Sequence, residues 1–270
     1  MLPSGQRISH YLLRRRLKTG GMGEIYLAED EHLARQVVIK VITIDYDHAS
    51  DSELAEEAAR LFLREARAIA RFNHDHILPI YEADQDMVHD SLVMYMVMPY
   101  CPEGSLADWL YNHDIPLPLP AQDVAHILTQ AAEALQLAHD HHIIHQDVKP
   151  GNFLVQQPAA HPAQLKLQLA DFGIAKLLRA SSETQSVRGT PFYMAPEQWE
   201  GRAVPATDQY SLGIMAYELL TGQRPFRGNN AQQIWYQHFH VKPEQPSDFN
   251  PHLTQALDAI ILRALAKHPR

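Results

Sequence analysis

At 270 residues and 46% hydrophobic content, the chain is long enough to bury one large core or two modest lobes, which excludes disordered and fibrous classes. Its net charge of −9 argues against a nucleic-acid partner, which would want a basic face. A single cysteine excludes an internal disulfide framework and suits a reducing cytoplasm, and no signal-peptide pattern opens the sequence.

In chain order, Tyr11 to Leu17 alternates apolar residues, a glycine-rich stretch from Gly20 to Gly23 interrupts it, and Tyr26 to Glu29 resumes it. This reads as strand, turn, strand. Glycine lets backbone N–H groups approach an anion with no Cβ in the way, so Gly20 and Gly23 are candidate phosphate contacts. A glycine-rich hairpin is at least as often structural, and alone the signal is weak. Val37-Val38-Ile39-Lys40 predicts a β-branched strand ending in a lysine, which needs a counter-charge or an anion among such apolar neighbours. Asp51 to Phe72 has helical spacing through Leu54, Ala58, Leu61, Ala68 and Ile69. Glu65 within it is the candidate partner of Lys40, against the alternative that it is one more solvated helix charge beside Glu53, Glu56 and Glu57.

Leu92 to Met98 is an apolar run too short to span a bilayer. Pro116 to Pro120 reads as a rigid loop before a helix rather than a polyproline ligand. Asp123 to His139 and Thr207 to Leu220 have helical apolar spacing, the second stopped at Gly222. Gln156 to Gln164 is a long loop between two short strands. His139, His141, His142 and His145 invite a zinc reading, but tetrahedral spacing is not evident and that reading is rejected.

The chemistry concentrates in His145-Gln146-Asp147-Val148-Lys149-Pro150-Gly151-Asn152, with Asp171-Phe172-Gly173 beginning nineteen positions after Asn152. Moving a phosphoryl group takes little covalent help, but its oxygens must be neutralised and the attacking hydroxyl held in line. Asp147 is the candidate base, Lys149 the cation, and Asn152 with Asp171 supply hard oxygen ligands for Mg²⁺.

With these motifs in order, together with Gly189 to Glu197 and Asp208 to Gly213, the chain resembles the eukaryotic-type protein kinase family from Tyr11 to its last residue. The resemblance is strongest to the bacterial serine/threonine branch. It implies an α+β, bilobal kinase fold. A small β-rich N-lobe (1–98) would contain the helix with Glu65, a hinge would span 99–104, and a larger, mainly helical C-lobe would fill 105–270. It implies ATP and Mg²⁺ as cofactors, serine and threonine hydroxyls of proteins as acceptors, and autophosphorylation, with self-association as a route to it. Lys40, paired with Glu65, would contact the α- and β-phosphates. Asp171 and Asn152 would hold metal, Asp147 would be the base, Lys149 would reach the γ-phosphate, and Thr190 would orient Asp147 and Lys149. Adenine would lie between Ile25 and Val38 on one side and Leu154 on the other, with Met98 as gatekeeper. The Pro99 carbonyl would accept from its amino group and the Cys101 N–H would donate to its ring. Ile69, Ile80, His145 and Phe172 would stack as an apolar spine.

Three positions depart from the family pattern. Lys18 stands where the first flap glycine belongs, which removes one close backbone approach. Val38 replaces the usual alanine, and two extra methyls in a tight slot cost about 1–3 kcal/mol. Gln146 replaces an arginine that receives a loop phosphate. A phosphate opposite arginine gains charge-assisted bonds of roughly 1.5–3 kcal/mol each, so phosphorylation at Ser181, Ser182, Thr184 or Ser186 should control this chain less. Lys176 or Arg188 are substitute anchors. The sequence stops before the last helix of relatives and before the arginine expected to pair with Glu197, so the chain is expected to be a catalytic domain cut from a longer protein. Its location is then cytoplasmic, with any membrane anchor in a segment absent from this sequence. The competing readings are a pseudokinase scaffold, motivated by the three departures, and a small-molecule kinase, disfavoured by the peptide-platform motif at Gly189 to Glu197.

Overall fold

The computed structural model describes residues 2–3, 5–20, 23–44, 51–88, 91–157, 159–172 and 191–269, leaving the side chains of 44, 51–56, 58 and 157 outside the description. Packing divides them into two units. One holds the residues up to Asn73 together with Leu78–Tyr100; the other holds His74–Ile77 and the residues from Cys101 onward.

The first unit is an antiparallel sheet with one long helix. Its strands are β1 (Arg7–Ile8), β2 (Tyr11–Gly20), β3 (Gly23–Asp30), β4 (Arg35–Ile44), β5 (Glu82–Val88) and β6 (Ser91–Pro99), in the order β1-β2-β3-β4-β6-β5. Side chains alternate across a strand. Val37, Ile39 and Val41 of β4 therefore share one core with Tyr26 and Ala28 of β3 and with Val93, Tyr95 and Val97 of β6, while Val38 and Lys40 take the opposite face. The strand does not end at Lys40 as its first four residues suggest. It continues to Ile44, because the β-branched run persists and Val41 to Ile44 pair with Tyr95 to Leu92. The hydroxyls of Tyr11 and Tyr95 both donate to Glu82, at 2.6 and 3.0 Å. Burial and that carboxylate push both phenols up, so they remain donors.

Helix α1 (Asp51–Ile69) is the predicted one, with a shifted inner stripe. Ala59, Phe62, Ala66 and Ile69 are buried, whereas Leu61 and Ala68 are half-buried. The apolar band is wide, and the bulkier Phe62 takes the core side.

The second unit contains α2 (Leu106–Asn112), α3 (Ala121–Asp140), β7 (Phe153–Gln157), β8 (Lys166–Leu169), α4 (Pro196–Trp199), α5 (Pro205–Thr221), α6 (Ala231–His240), α7 (Pro246–Phe249) and α8 (Gln255–Ala264). Helix α5 is its centre, with Tyr210, Ile214, Met215, Tyr217, Leu219 and Leu220 all buried. It stops at Gly222, whose φ of 75° is left-handed and whose N–H donates to Glu218 O at 2.8 Å. Gly213 lets α8 approach: a Cβ there would meet Ala264 Cβ at 3.0 Å. Buried Gln130 of α3 clamps the β8 region, donating to Leu165 O and accepting from Leu167 N–H, both at 2.9 Å. The proline-rich loop is packed at Leu119, which is buried and donates to Leu219 O at 2.8 Å. His74–Ile77 joins this unit through β8: His76 Nδ1 lies 2.9 Å from Leu167 O, and Leu169 N–H donates to His76 O at 2.9 Å. Among the described residues no helix is long and apolar enough to cross a membrane, and no group of three or more His, Cys, Asp or Glu is placed to hold a metal ion.

Gly104 and Ser105 start α2 as one device. Ser105 Oγ accepts from Asp108 N–H at 3.2 Å, and the Asp108 carboxylate accepts from Ser105 N–H at 2.9 Å. Gly104 sits at φ 73°, where a Cβ would approach Asp108 Oδ2 to 2.9 Å. Replacing the cap by Ser105→Ala is expected to cost about 1 kcal/mol and to lower the thermal unfolding midpoint by roughly 2–4 °C, as measured by calorimetry.

Candidate active site

The segment His145 to Asn152 is set from beneath by one carboxylate on α5. Asp208 is fully buried and accepts from His145 N–H at 2.8 Å, from Gln146 N–H at 2.7 Å and from His139 Nε2 at 2.8 Å. These bonds hold Gln146 at φ 64°, a left-handed conformation that a side chain disfavours. Gln198 of α4 adds a bond from its amide to Gln146 O at 2.7 Å. His145 is buried, and burial pushes its pKa down, keeping the ring neutral. Its Nδ1 accepts from Asp147 N–H at 3.2 Å, so Nε2 carries the proton and donates to Ala170 O at 2.9 Å. The ring meets Phe172 edge-on, with centroids 4.8 Å apart, which is the second half of the predicted spine.

This framework brings the catalytic candidates of the second unit together. Lys149 Nζ donates to Asp147 Oδ2 at 2.7 Å, and Asn152 Nδ2 donates to the same oxygen at 2.9 Å and to Asp147 O at 2.7 Å. Both side chains hold Oδ2, so Asp147 Oδ1 accepts no hydrogen bond among the described residues. The orientation of the Asn152 amide likewise leaves its Oδ1 without a donor among them. Ala170 N–H donates to Asn152 O at 2.9 Å, which ties Asn152 to the residue preceding Asp171. Asp171 is held at φ 62°. A carboxamide oxygen and a carboxylate, anchored by adjoining backbone, fit a hard divalent cation that prefers oxygen ligands.

In the first unit, Ile25, Lys40 and Met96 are directly opposed across three strands, and so are Leu27, Val38 and Met98. Directly opposed residues share a face, so Ile25, Val38, Lys40 and Met98 line the side of the sheet away from its aromatic core. Lys40 is 4% exposed. The Glu65 carboxylate accepts from Arg64 Nε and a terminal Arg64 nitrogen, at 3.2 and 2.9 Å. Gly23, at φ 120°, has a structural reason to be glycine: a Cβ would meet Val41 O at 2.2 Å. Gly20 pairs with Gly23 at the hairpin end. Pro99 closes β6, and Cys101 opens the second unit, where its carbonyl accepts from Gly104 N–H at 3.0 Å. Leu154 lies on β7 and bridges to Ser105. Thr190, Gly173 and the residues Lys176, Ser181, Ser182, Thr184, Ser186 and Arg188 lie outside the described residues.

After the undescribed segment, residues 191–197 are pinned to α5. Ser211 Oγ donates to Tyr193 O at 2.7 Å, and the Tyr193 hydroxyl donates to Glu218. The Arg224 guanidinium covers the Phe192 ring at 4.2 Å while its Nε donates to Glu218 at 2.9 Å. Glu197, expected to be left unpaired, is 8% exposed and accepts from Thr207 Oγ1 at 2.8 Å, so a hydroxyl satisfies it. Asp208 is the functional residue whose task sequence reading missed. Its signal was an aspartate in the first turn of an otherwise apolar helix, where water cannot be its partner.

A family model described as Protein kinase domain matches residues 11–270. The serine/threonine-protein kinase PknB of Mycobacterium leprae is 36% identical over 254 residues, covering 93% of this chain and 38% of the relative. The serine/threonine-protein kinase PrkC of Bacillus subtilis is 36% identical over 269 residues, covering 98% of this chain and 39% of the relative. The chain thus spans about two fifths of the length of these relatives. Among solved structures, the kinase domain of Mycobacterium tuberculosis PknI, crystallised as a cysteine-to-alanine mutant, superposes with a TM-score of 0.69 at 28% identity, covering 99% of this chain and 92% of that one. The motif order, the Asp147–Lys149–Asn152 geometry and these likenesses agree: the chain belongs to the protein kinase family, among the catalytic domains of bacterial serine/threonine kinases.

Proposed function

We propose that this chain transfers the γ-phosphoryl group of ATP to serine and threonine hydroxyls of proteins, its own loop included. The observation that carries the reading is the double anchoring of Asp147 Oδ2 by Lys149 and Asn152. It fixes the carboxylate while leaving Oδ1 to accept the proton of an incoming hydroxyl, as a positioned general base requires. Lys149, next to that oxygen, offsets charge on the transferring group. Asn152 and Asp171 are the metal ligands, and bound Mg²⁺ would neutralise phosphate oxygens. Lys40 takes the α- and β-phosphates with Glu65 as its counter-charge, a role in which Glu65 exchanges or shares its Arg64 partner. Ile25, Val38, Met98 and Leu154 enclose the adenine, with hydrogen bonds to Pro99 O and from Cys101 N–H. Thr190 orients the base and Lys149, and Gly20 and Gly23 bring flap backbone to phosphate. Recognition of the acceptor peptide falls to the 191–197 platform.

Incubation with Mg-ATP and a generic basic protein should give phosphoserine and phosphothreonine, and Asp147→Asn should lower kcat by roughly 10²–10⁴-fold. Nucleotide binding by the unaltered chain without transfer would favour a signalling scaffold instead. Val38 adds bulk beside Leu27 and Met98. Val38→Ala should therefore lower the KM for ATP about tenfold, and an unchanged or higher KM would remove the steric argument. Asp208 is a positioning residue. An amide in its place presents one acceptor oxygen where three donors converge, so Asp208→Asn should cut kcat by roughly 10–100-fold with ATP KM changed less than about twofold. An equal loss in both parameters would mean that the damage spreads beyond the catalytic segment.

A further inference from the structure

The hairpin of β2 and β3 has two register shifts, and the second decides where Lys18 points. Arg16 pairs with Tyr26, and the next pair is Lys18 with Ile25, so Leu17 is the bulged residue. In an unbroken ladder Leu17 would oppose Ile25, and Lys18 would turn to the other face. The bulge instead puts Lys18 in one cross-strand row with Ile25, Lys40 and Met96. Lys18 and Lys40 then flank Ile25 on the same face. Two strand spacings separate their Cα atoms by about 10 Å, within which two lysine stems can converge on one polyanion.

Charge pairing on the same strand points the same way. Arg14 is engaged by Glu29 and Arg16 by Glu24, and Tyr26 also donates to Glu24 at 2.7 Å. Lys18 is exposed and has no ion-pair partner among the described residues. Arg15, opposite Leu27 and on this same face, has none among them either. In a chain of net charge −9, Lys18 and Arg15 thus stand on this face with no ion-pair partner among the described residues.

We infer that Lys18 is a second phosphate-binding cation for the nucleotide, acting with Lys40 across Ile25. The inference rests on the nucleotide role proposed above. It assigns the lysine that displaces a glycine a gain in charge, set against the lost backbone approach. The contribution goes to the phosphates and not to the adenine, so affinity should rise with ligand charge and fall with salt.

Affinities for adenosine, ADP and ATP, measured by calorimetry with the intact chain at low and at physiological salt, test this. Lys18→Ala should weaken ADP and ATP about 5- to 10-fold, leave adenosine unchanged and flatten the salt dependence, whereas Lys18→Arg should retain most of the affinity. Arg16→Ala removes the same charge from the same strand on the opposite face and should leave all three ligands alike. If Lys18→Ala weakens adenosine as much as ATP, or leaves ATP unchanged, the inference is overturned. Failure of the unaltered chain to bind any of the three would overturn the nucleotide reading itself, which separates the two outcomes.

Discussion

The Asp208 carboxylate lies beneath the catalytic segment with no exposed surface, and everything chemical in the second unit depends on how it is satisfied. It accepts two consecutive backbone N–H groups and an imidazole N–H. Two adjacent amides can point at one carboxylate when the chain turns sharply, and Gln146 supplies that turn at φ 64°. A left-handed residue with a side chain costs about 1–2 kcal/mol. Hydrogen bonds to a buried charge contribute roughly 1.5–3 kcal/mol each, so the strained turn is held. The site of Asp208 in the first turn of α5 adds the favourable end of the helix dipole.

From that turn the rest of the segment follows. His145 is fixed from both ring nitrogens, and its proton position is decided by the Asp147 N–H on one side and the Ala170 carbonyl on the other. Asp147 is delivered to Lys149 and Asn152, and the backbone of Asn152 is tied to the residue before Asp171. Asp147, Lys149 and Asn152 are thus one hydrogen-bonded piece of chain tied to the backbone before Asp171, and the roles proposed for them need little rearrangement.

The first unit solves a different problem with parity. A strand buries alternate residues, so Val37, Ile39 and Val41 build the core while Val38 and Lys40 are delivered to the other face without further design. A bulge changes parity locally, and it brings Lys18 into the cross-strand row of Ile25 and Lys40. Gly23 has a purely structural reason to be glycine, because the neighbouring strand excludes a Cβ there.

The sequence alone determined the kinase motifs, the strand and helix types and the stop of α5 at Gly222, and it nominated Asp147, Lys149, Asn152 and Asp171 as a set. Those features are local: spacing, periodicity and side-chain chemistry can be read from neighbours along the chain. Tertiary structure decided which face of α1 turns inward, that β4 runs on past Lys40, that Glu65 takes bonds from Arg64, and that Thr207 satisfies Glu197. It also decided which oxygen of Asp147 is held, and that an aspartate 61 residues further along the chain holds the turn before it. The Asp208 contact and the run of β4 depend on segments far apart in sequence and on register, which a single residue inserted in a strand reverses, whereas the bonds of Glu65 and of Asp147 Oδ2 come from near neighbours whose side-chain directions are set by packing; no local pattern encodes either.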